Sequence, residues 1–221
     1  MTPLEAGVWG MLGGVAGYLV GMLCLILEGH IGEMEEGELS GRTRIETLLL
    51  PALGAVGFFM FAARDGMTAA LLIHSLWILV LIQILGFDLK HRLILDVVTI
   101  PAMVVALILA SFSPDLNLFQ AVFGLAVGGL ALLPFAVASS LFHQGAGFGW
   151  GDVKLGMVIG AITGMSLNYG GLYTLWALIA GTLIGGVITV ALLVTRRIGL
   201  RDAVPYGPFL VVGCGIILFF M

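Results

Sequence analysis

Charge is what this sequence has least of. Only 10% of its 221 residues are Asp, Glu, Lys or Arg, against 60% hydrophobic, where soluble globular domains carry about 25% charged residues. A water-exposed surface on all sides is thereby excluded, and a mean hydropathy of +1.16 assigns the chain to the lipid bilayer. Cysteine is nearly absent as well. Cys24 and Cys214 stand alone in apolar runs near opposite ends, so there is no CxxC pair to suggest zinc and no disulfide framework to read. No basic cluster marks a nucleic-acid partner. The first apolar run, Gly7 to Leu27, lacks a basic leading segment and a small-residue cleavage site, so it reads as a span and not as a removable signal. Glycine, in contrast, is plentiful. Its 33 residues are roughly twice the usual share of ~7%, and membrane helices use glycine to bring backbones close together.

A span needs about 20 largely apolar residues and tolerates Gly or Pro where neighbours satisfy the backbone. Eight segments qualify, at 6–27, 46–63, 67–87, 94–112, 119–142, 154–168, 171–195 and 205–221. The sixth and eighth are short, and six spans is the alternative count. The expected fold is all-α: a polytopic membrane helix bundle of about eight transmembrane helices, forming one membrane domain over 1–221. Orientation follows from the loop cations. With the N-terminus outside, the inside loops hold Arg42, Arg44, Lys90, Arg92, Lys154, Arg196, Arg197 and Arg201, and the outside loops hold only Arg64. Both termini are then expected outside. The segment 28–45 becomes a cytoplasmic loop rich in glutamate, with "EGHIGEMEEGE" at its start.

Ionisable groups within or beside spans cost about 2.5–3.5 kcal/mol on insertion scales, so each one has to be accounted for. Most are explained as interface anchors: Arg64 and Asp65 sit in a loop, Asp115 caps the turn "SPDLN", and Arg196 and Arg197 hold the inside face. Asp88, closing the third span in "GFDLKHR", and Asp152, opening the sixth in "GWGDVKL", are different. Two complete spans separate them, which returns the chain to the same membrane face. Two carboxylates brought close cannot both ionise cheaply, so one keeps a proton while the other acts as base. Such a pair can activate water for attack on a peptide carbonyl without a metal. The glycines at 145, 147, 149 and 151 make "GAGFGWG" a poor regular helix and give an extended substrate room to approach. On spacing alone the competing reading is a glycine-rich turn between two helices, with Asp152 as N-cap and Lys154 in the lipid headgroups.

The residues around these two aspartates carry a resemblance. "GWGDVKLG" resembles the GxGDxKL signature of the type IV prepilin peptidases, GxGD membrane aspartyl proteases that remove leader peptides from pilin-like precursors at the cytoplasmic face. "FDLKHRLILDVVTIP" (Phe87 to Pro101) is similar to that family's other motif, an Asp followed eight residues later by Asp or Asn, and "VPYGPFL" (Val204 to Leu210) resembles its C-terminal PFGPFL stretch. The resemblance covers the chain from Phe87 onward. It implies a catalytic pair, Asp88 and Asp152, with Gly149 and Gly151 shaping the second site and Lys154 a motif residue that orients or electrostatically tunes Asp152. Asp96 falls at the Asp/Asn position and is expected to be structural. The implied partners are pilin-like precursors, with a hydrophilic, often basic leader before a hydrophobic helix, and the bilayer itself, with no nucleic acid. The implied location is the inner (plasma) membrane. No cofactor and no metal are expected.

The chain departs from the family's pattern in two places, of which the first should barely affect chemistry. Leu95 stands where many relatives have Pro. The region of 28–45, where full-length bacterial relatives carry an insertion with two CxxC pairs associated with N-methylation, is acidic and has no cysteine, so a methyltransferase is not expected. Three rival readings compete. Presenilin-like proteases also use GxGD, but they pair it with a YD and a later PAL motif; here Phe87 precedes Asp88, and Pro51-Ala52-Leu53 comes before GxGD. Archaeal-type preflagellin peptidases are not separable on these motifs. A small Asp-dependent proton or cation transporter would set its carboxylates near the bilayer midplane, whereas Asp88 and Asp152 sit beside Lys90, Arg92 and Lys154 at span ends.

Overall fold

The computed structural model describes residues 2–32, 44–113, 116–142, 149–166, 171–197 and 204–221. Among them the chain is helical, with no strand: α1 (Pro3–Gly32), a π-helical turn (Ile45–Leu49), α2 (Leu50–Asp65), α3 (Ala69–His91), α4 (Asp96–Ala110), α5 (Leu118–Phe142), α6 (Trp150–Thr163), α7 (Tyr173–Val194) and α8 (Gly207–Phe220). Five of these segments are long and apolar enough to cross a membrane, in α1, α2, α3, α5 and α7, and α4 and α8 are shorter apolar helices. The protein is therefore an all-α, multi-pass membrane protein. Among the described residues eight α-helices stand where eight spans were expected, and five apolar segments meet the length of a full crossing. The chain divides into two compact units, Met1–Lys90 and His91–Met221.

In the first unit α1 is built inside out relative to a soluble helix. Its buried stripe is Ala6, Gly10, Gly13, Gly17, Gly21, Cys24 and Glu28, while Leu12, Val15, Leu19 and Ile26 face outward. That arrangement fits lipid, which supplies no hydrophobic drive between helices, so small residues are needed for backbones to touch. A Cβ on Gly13 would run into the Gly54 carbonyl, and one on Gly17 into that of Leu50. These contacts order α1 and α2 antiparallel. Polar bonds then tie α1 to α3 in parallel: Trp9 Nε1 donates to Ser75 Oγ (3.0 Å), Cys24 Sγ to Gln83 Oε1 (3.2 Å), and Lys90 Nζ to Glu28. The helix α1 runs on to Gly32, so Glu28 lies within it and not in a loop. The rest of the expected acidic loop lies mostly outside the described residues, as do Arg42, Asp115, Gly145, Gly147 and Arg201. At the α2–α3 turn, Asp65 accepts from Arg64 Nε at 2.5 Å and lies 2.6 Å from His74 Nδ1.

In the second unit α5 and α6 are joined antiparallel by glycine: a Cβ on Gly160 would strike the Gly124 carbonyl, and one on Gly128 the Gly156 carbonyl. Helix α6 is buried from Val158 through Thr163, an interior helix more than a lipid-facing one. It stops at Gly164, whose φ of 67° is in the region glycine occupies without Cβ penalty. The Gly164 carbonyl accepts from Thr174 Oγ1 at 2.8 Å, which joins α6 to the start of α7. Helices α7 and α8 close against each other where Gly181 meets Leu210 and Gly185 meets Phe209.

This packing makes a specific prediction. Gly160→Ala should lower the thermal unfolding temperature in detergent, by a destabilisation of about 1–3 kcal/mol typical of overpacking, because the new methyl meets backbone that cannot rotate away. Gly186→Ala, where nothing lies within 4 Å, should leave it unchanged. Equal unfolding temperatures for the two variants would contradict the close approach of α5 and α6.

Candidate active site

Helix α6 begins one residue after Gly149, which is extended at φ −98°, ψ 167° and serves as the N-cap. Asp152 is therefore the third helical residue and not the cap itself. Its Oδ2 reaches back to accept the Gly149 N–H at 2.8 Å, while its own N–H donates to the Gly149 carbonyl at 3.1 Å. This is the carboxylate half of a capping box, and a negative charge there also meets the positive end of the helix dipole. Asp152 is buried, with 8% exposure. The side chain is thus held by local backbone.

Gly151 lies inside α6 and not in an irregular turn; a Cβ on it would sit 3.0 Å from that of Ile94, so its lack of a side chain lets the segment before α4 lie against the start of α6. That contact is extended by charge. Lys154 Nζ lies 2.5 Å and 2.7 Å from the two oxygens of Asp96, the first residue of α4. Both side chains are partly exposed, 37% for Lys154 and 56% for Asp96. Lys154, expected to tune Asp152 or to anchor in headgroups, is engaged by Asp96.

Asp88 belongs to the first unit. It lies in the last turn of α3, inside a run of eight buried residues, Leu81 to Asp88, and is 4% exposed. Two residues on, Lys90 Nζ is 2.7 Å from Glu28 Oε1 and 2.9 Å from Oε2. From the sequence Glu28 and Lys90 read as loop charges; the available signal is that each sits within one turn of the end of an apolar run. The structure thus brings Lys154 to Asp96, Asp152 to Gly149 and Gly151 to Ile94. Asp88 and Asp152 are each placed within a separate unit. Among the described residues no three His, Cys, Asp or Glu side chains form a metal-binding group.

A multi-pass helical membrane protein with one buried carboxylate at a glycine-capped helix start, and another buried at a helix end, is the class that fold and site define. The particular family follows from comparison with known proteins. Residues 73–194, more than half the chain and including Asp88, Asp96, Gly149, Gly151, Asp152 and Lys154, match the type IV leader peptidase family, and the chain belongs to that family. Among curated proteins it is similar to the prepilin leader peptidase/N-methyltransferase of Aeromonas hydrophila, 28% identical over 184 residues, 83% of this chain and 60% of that one. The protein of the same name from Pseudomonas putida is 29% identical over 145 residues, 65% of this chain and 47% of that one. That of Pseudomonas aeruginosa is 30% identical over 132 residues, 59% and 43% of the two chains. The chain thus spans about half the length of the curated relatives it matches. No solved structure matches it.

The local geometry of Asp152 is testable through stability. Asp152→Ala leaves the Gly149 N–H without its acceptor and should cost about 1 kcal/mol, whereas Asp152→Asn keeps an amide oxygen there and should cost less. Thermal unfolding of the two variants side by side checks this; an Asn variant as destabilised as the Ala variant would count against the bond.

Proposed function

We propose that this chain is a membrane aspartic endopeptidase that removes the leader from pilin-like precursors at the cytoplasmic face of the inner membrane, with Asp88 and Asp152 as its catalytic pair and the whole chain serving as one peptidase domain. The observation that carries the reading is family membership over 73–194, a span that contains both aspartates in their motif positions. The names of the curated relatives support the same substrate class. Burial of both carboxylates at helix ends supports it further, because a desolvated acid or base is worth more in a water-excluded site.

The chemistry needs one water and two carboxyls. The ionised aspartate takes a proton from water as the oxygen bonds to the scissile carbonyl carbon. The protonated aspartate donates a hydrogen bond to the developing oxyanion. Collapse of the tetrahedral intermediate breaks the C–N bond, a proton passes to the leaving nitrogen, and a leader carboxylate and a new amino terminus result. For Asp152, Oδ2 holds the Gly149 N–H, and Oδ1 is the oxygen outside the cap. Gly149 is exposed and extended, so a substrate strand can approach it without meeting a side chain.

The curated relatives are named for two activities; for this chain we propose the peptidase alone, since 28–45 holds no cysteine. With purified full chain and a pilin-like precursor bearing a basic leader and a hydrophobic helix, cleavage is expected after the leader. Asp88→Asn and Asp152→Asn should each lower kcat by about 10²–10⁴-fold. A variant that retains full cleavage removes that residue from the pair. Mass spectrometry of the processed product should show no added methyl group, and a methylated product would end the peptidase-only reading.

A further inference from the structure

Both aspartates of the proposed pair open the same short pattern: Asp88-Leu89-Lys90 and Asp152-Val153-Lys154. Two residues along an α-helix is a rotation of about 200°. Each lysine therefore leaves its helix on the side away from its aspartate and reaches toward a neighbouring helix. The structure shows what each lysine meets. Lys90 Nζ is bound by both oxygens of Glu28 at the end of α1, at 2.7 Å and 2.9 Å, with the two side chains only 8% and 6% exposed. Lys154 Nζ is bound by both oxygens of Asp96 at the start of α4, at 2.5 Å and 2.7 Å. In both cases a lysine two residues past an aspartate is clamped by a two-oxygen carboxylate from a different helix of the same unit.

A charge-assisted contact of this kind fixes two things about a helix, its rotation about its own axis and its height against the neighbour. Both determine where the aspartate on the opposite side points. The second clamp is reinforced by shape, since Gly151 admits Ile94 at 3.0 Å from its would-be Cβ, one turn from Lys154. We propose that Lys90 and Lys154 are positioning residues for the peptidase reaction: the Glu28–Lys90 and Asp96–Lys154 clamps set the rotation of α3 and α6 and so aim Asp88 and Asp152, without touching substrate. The inference rests on the reading of those aspartates as the catalytic pair.

The two clamps differ in how they should respond. A partly exposed ion pair contributes little to stability, so breaking Asp96–Lys154 leaves the fold intact and isolates its effect on catalysis. Removing one partner of a buried pair leaves an uncompensated charge and is strongly destabilising, so Glu28–Lys90 is tested by the exchange Glu28→Lys with Lys90→Glu, which keeps both charges. A small displacement of a catalytic group costs much in rate, and the readout is accordingly kcat.

The experiment uses the full chain and the precursor-cleavage assay. The unaltered protein is measured first, with Asp152→Asn beside it; absence of cleavage by the former, or full cleavage by the latter, removes the functional reading itself. Given that activity, Lys154→Met and Asp96→Leu should each lower kcat about tenfold or more, with KM within about twofold and the unfolding temperature unchanged. Lys154→Arg and Asp96→Asn should recover most of the rate, as should Lys154→Asp combined with Asp96→Lys, and the Glu28/Lys90 exchange should retain more activity than Lys90→Met alone. The pH profile of kcat should stay in place in Lys154→Met, because the lost charge faces away from Asp152. Full kcat in Lys154→Met, a displaced pH profile, or charge exchanges no better than the single variants would overturn the proposal.

Discussion

An ionised side chain among apolar helices persists only if something answers its charge, and this requirement organises the described structure. The desolvation cost of a lone charge is several kcal/mol even after relaxation. Glu28 meets it with Lys90 and Asp65 with Arg64, while Asp96, more than half exposed, keeps water as well as Lys154. Asp152 meets it with a backbone N–H from Gly149. The difference matters for chemistry. A carboxylate whose two oxygens both face a lysine has little left to offer a water molecule, whereas one held through a single oxygen by a peptide N–H keeps the other for proton exchange. Glu28 and Asp96 each hold a lysine through both oxygens, whereas Asp152 is bound to the Gly149 N–H through Oδ2.

Close helix approach is the second requirement, and it is met by glycine where lipid cannot help. Between α1 and α2, and again between α5 and α6, opposed glycines bring one helix's Cα to another's carbonyl. Large apolar residues are thereby displaced to the outside, as on α1. This inversion also explains why polar bonds such as Trp9 to Ser75 and Cys24 to Gln83 can sit along the α1–α3 contact: with small residues at the seam, the side chains that remain are near enough to bond.

Hydropathy located the helices well because an apolar run bounded by charge is a one-dimensional signal. The ends were set by local chemistry that hydropathy does not register. Helix α6 starts at Trp150 and not 154 because Gly149 caps it and Asp152 closes the box; it stops at Thr163 and not 168 because Gly164 turns left-handed and its carbonyl is taken by Thr174. Helix α1 passes through Glu28 because Lys90 neutralises it. The two aspartates stood out in the sequence through their motifs. Their lysines' partners did not, since Glu28 and Lys90 are 62 positions apart and Asp96 and Lys154 are 58, and nothing local in a sequence pairs residues at such distances.

The limits of the family match and the limits of the packing unit fall in different places, and the contrast bears on what the first helices do. The match begins at residue 73, within α3, and leaves α1 and α2 outside. The compact unit nevertheless runs from Met1 to Lys90, and α3 is tied to α1 at three levels, by Ser75, Gln83 and Lys90. The Cys24–Gln83 tie is the most buried of the three, and the last, Glu28–Lys90, lies two residues from Asp88. Helix α1 is therefore part of the frame that holds the end of α3, and a fragment trimmed to the matched span would expose Lys90 without its carboxylate and open the glycine seam to α2. The segment with the weakest sequence signal of function supplies Glu28, the carboxylate that answers Lys90 two residues past Asp88.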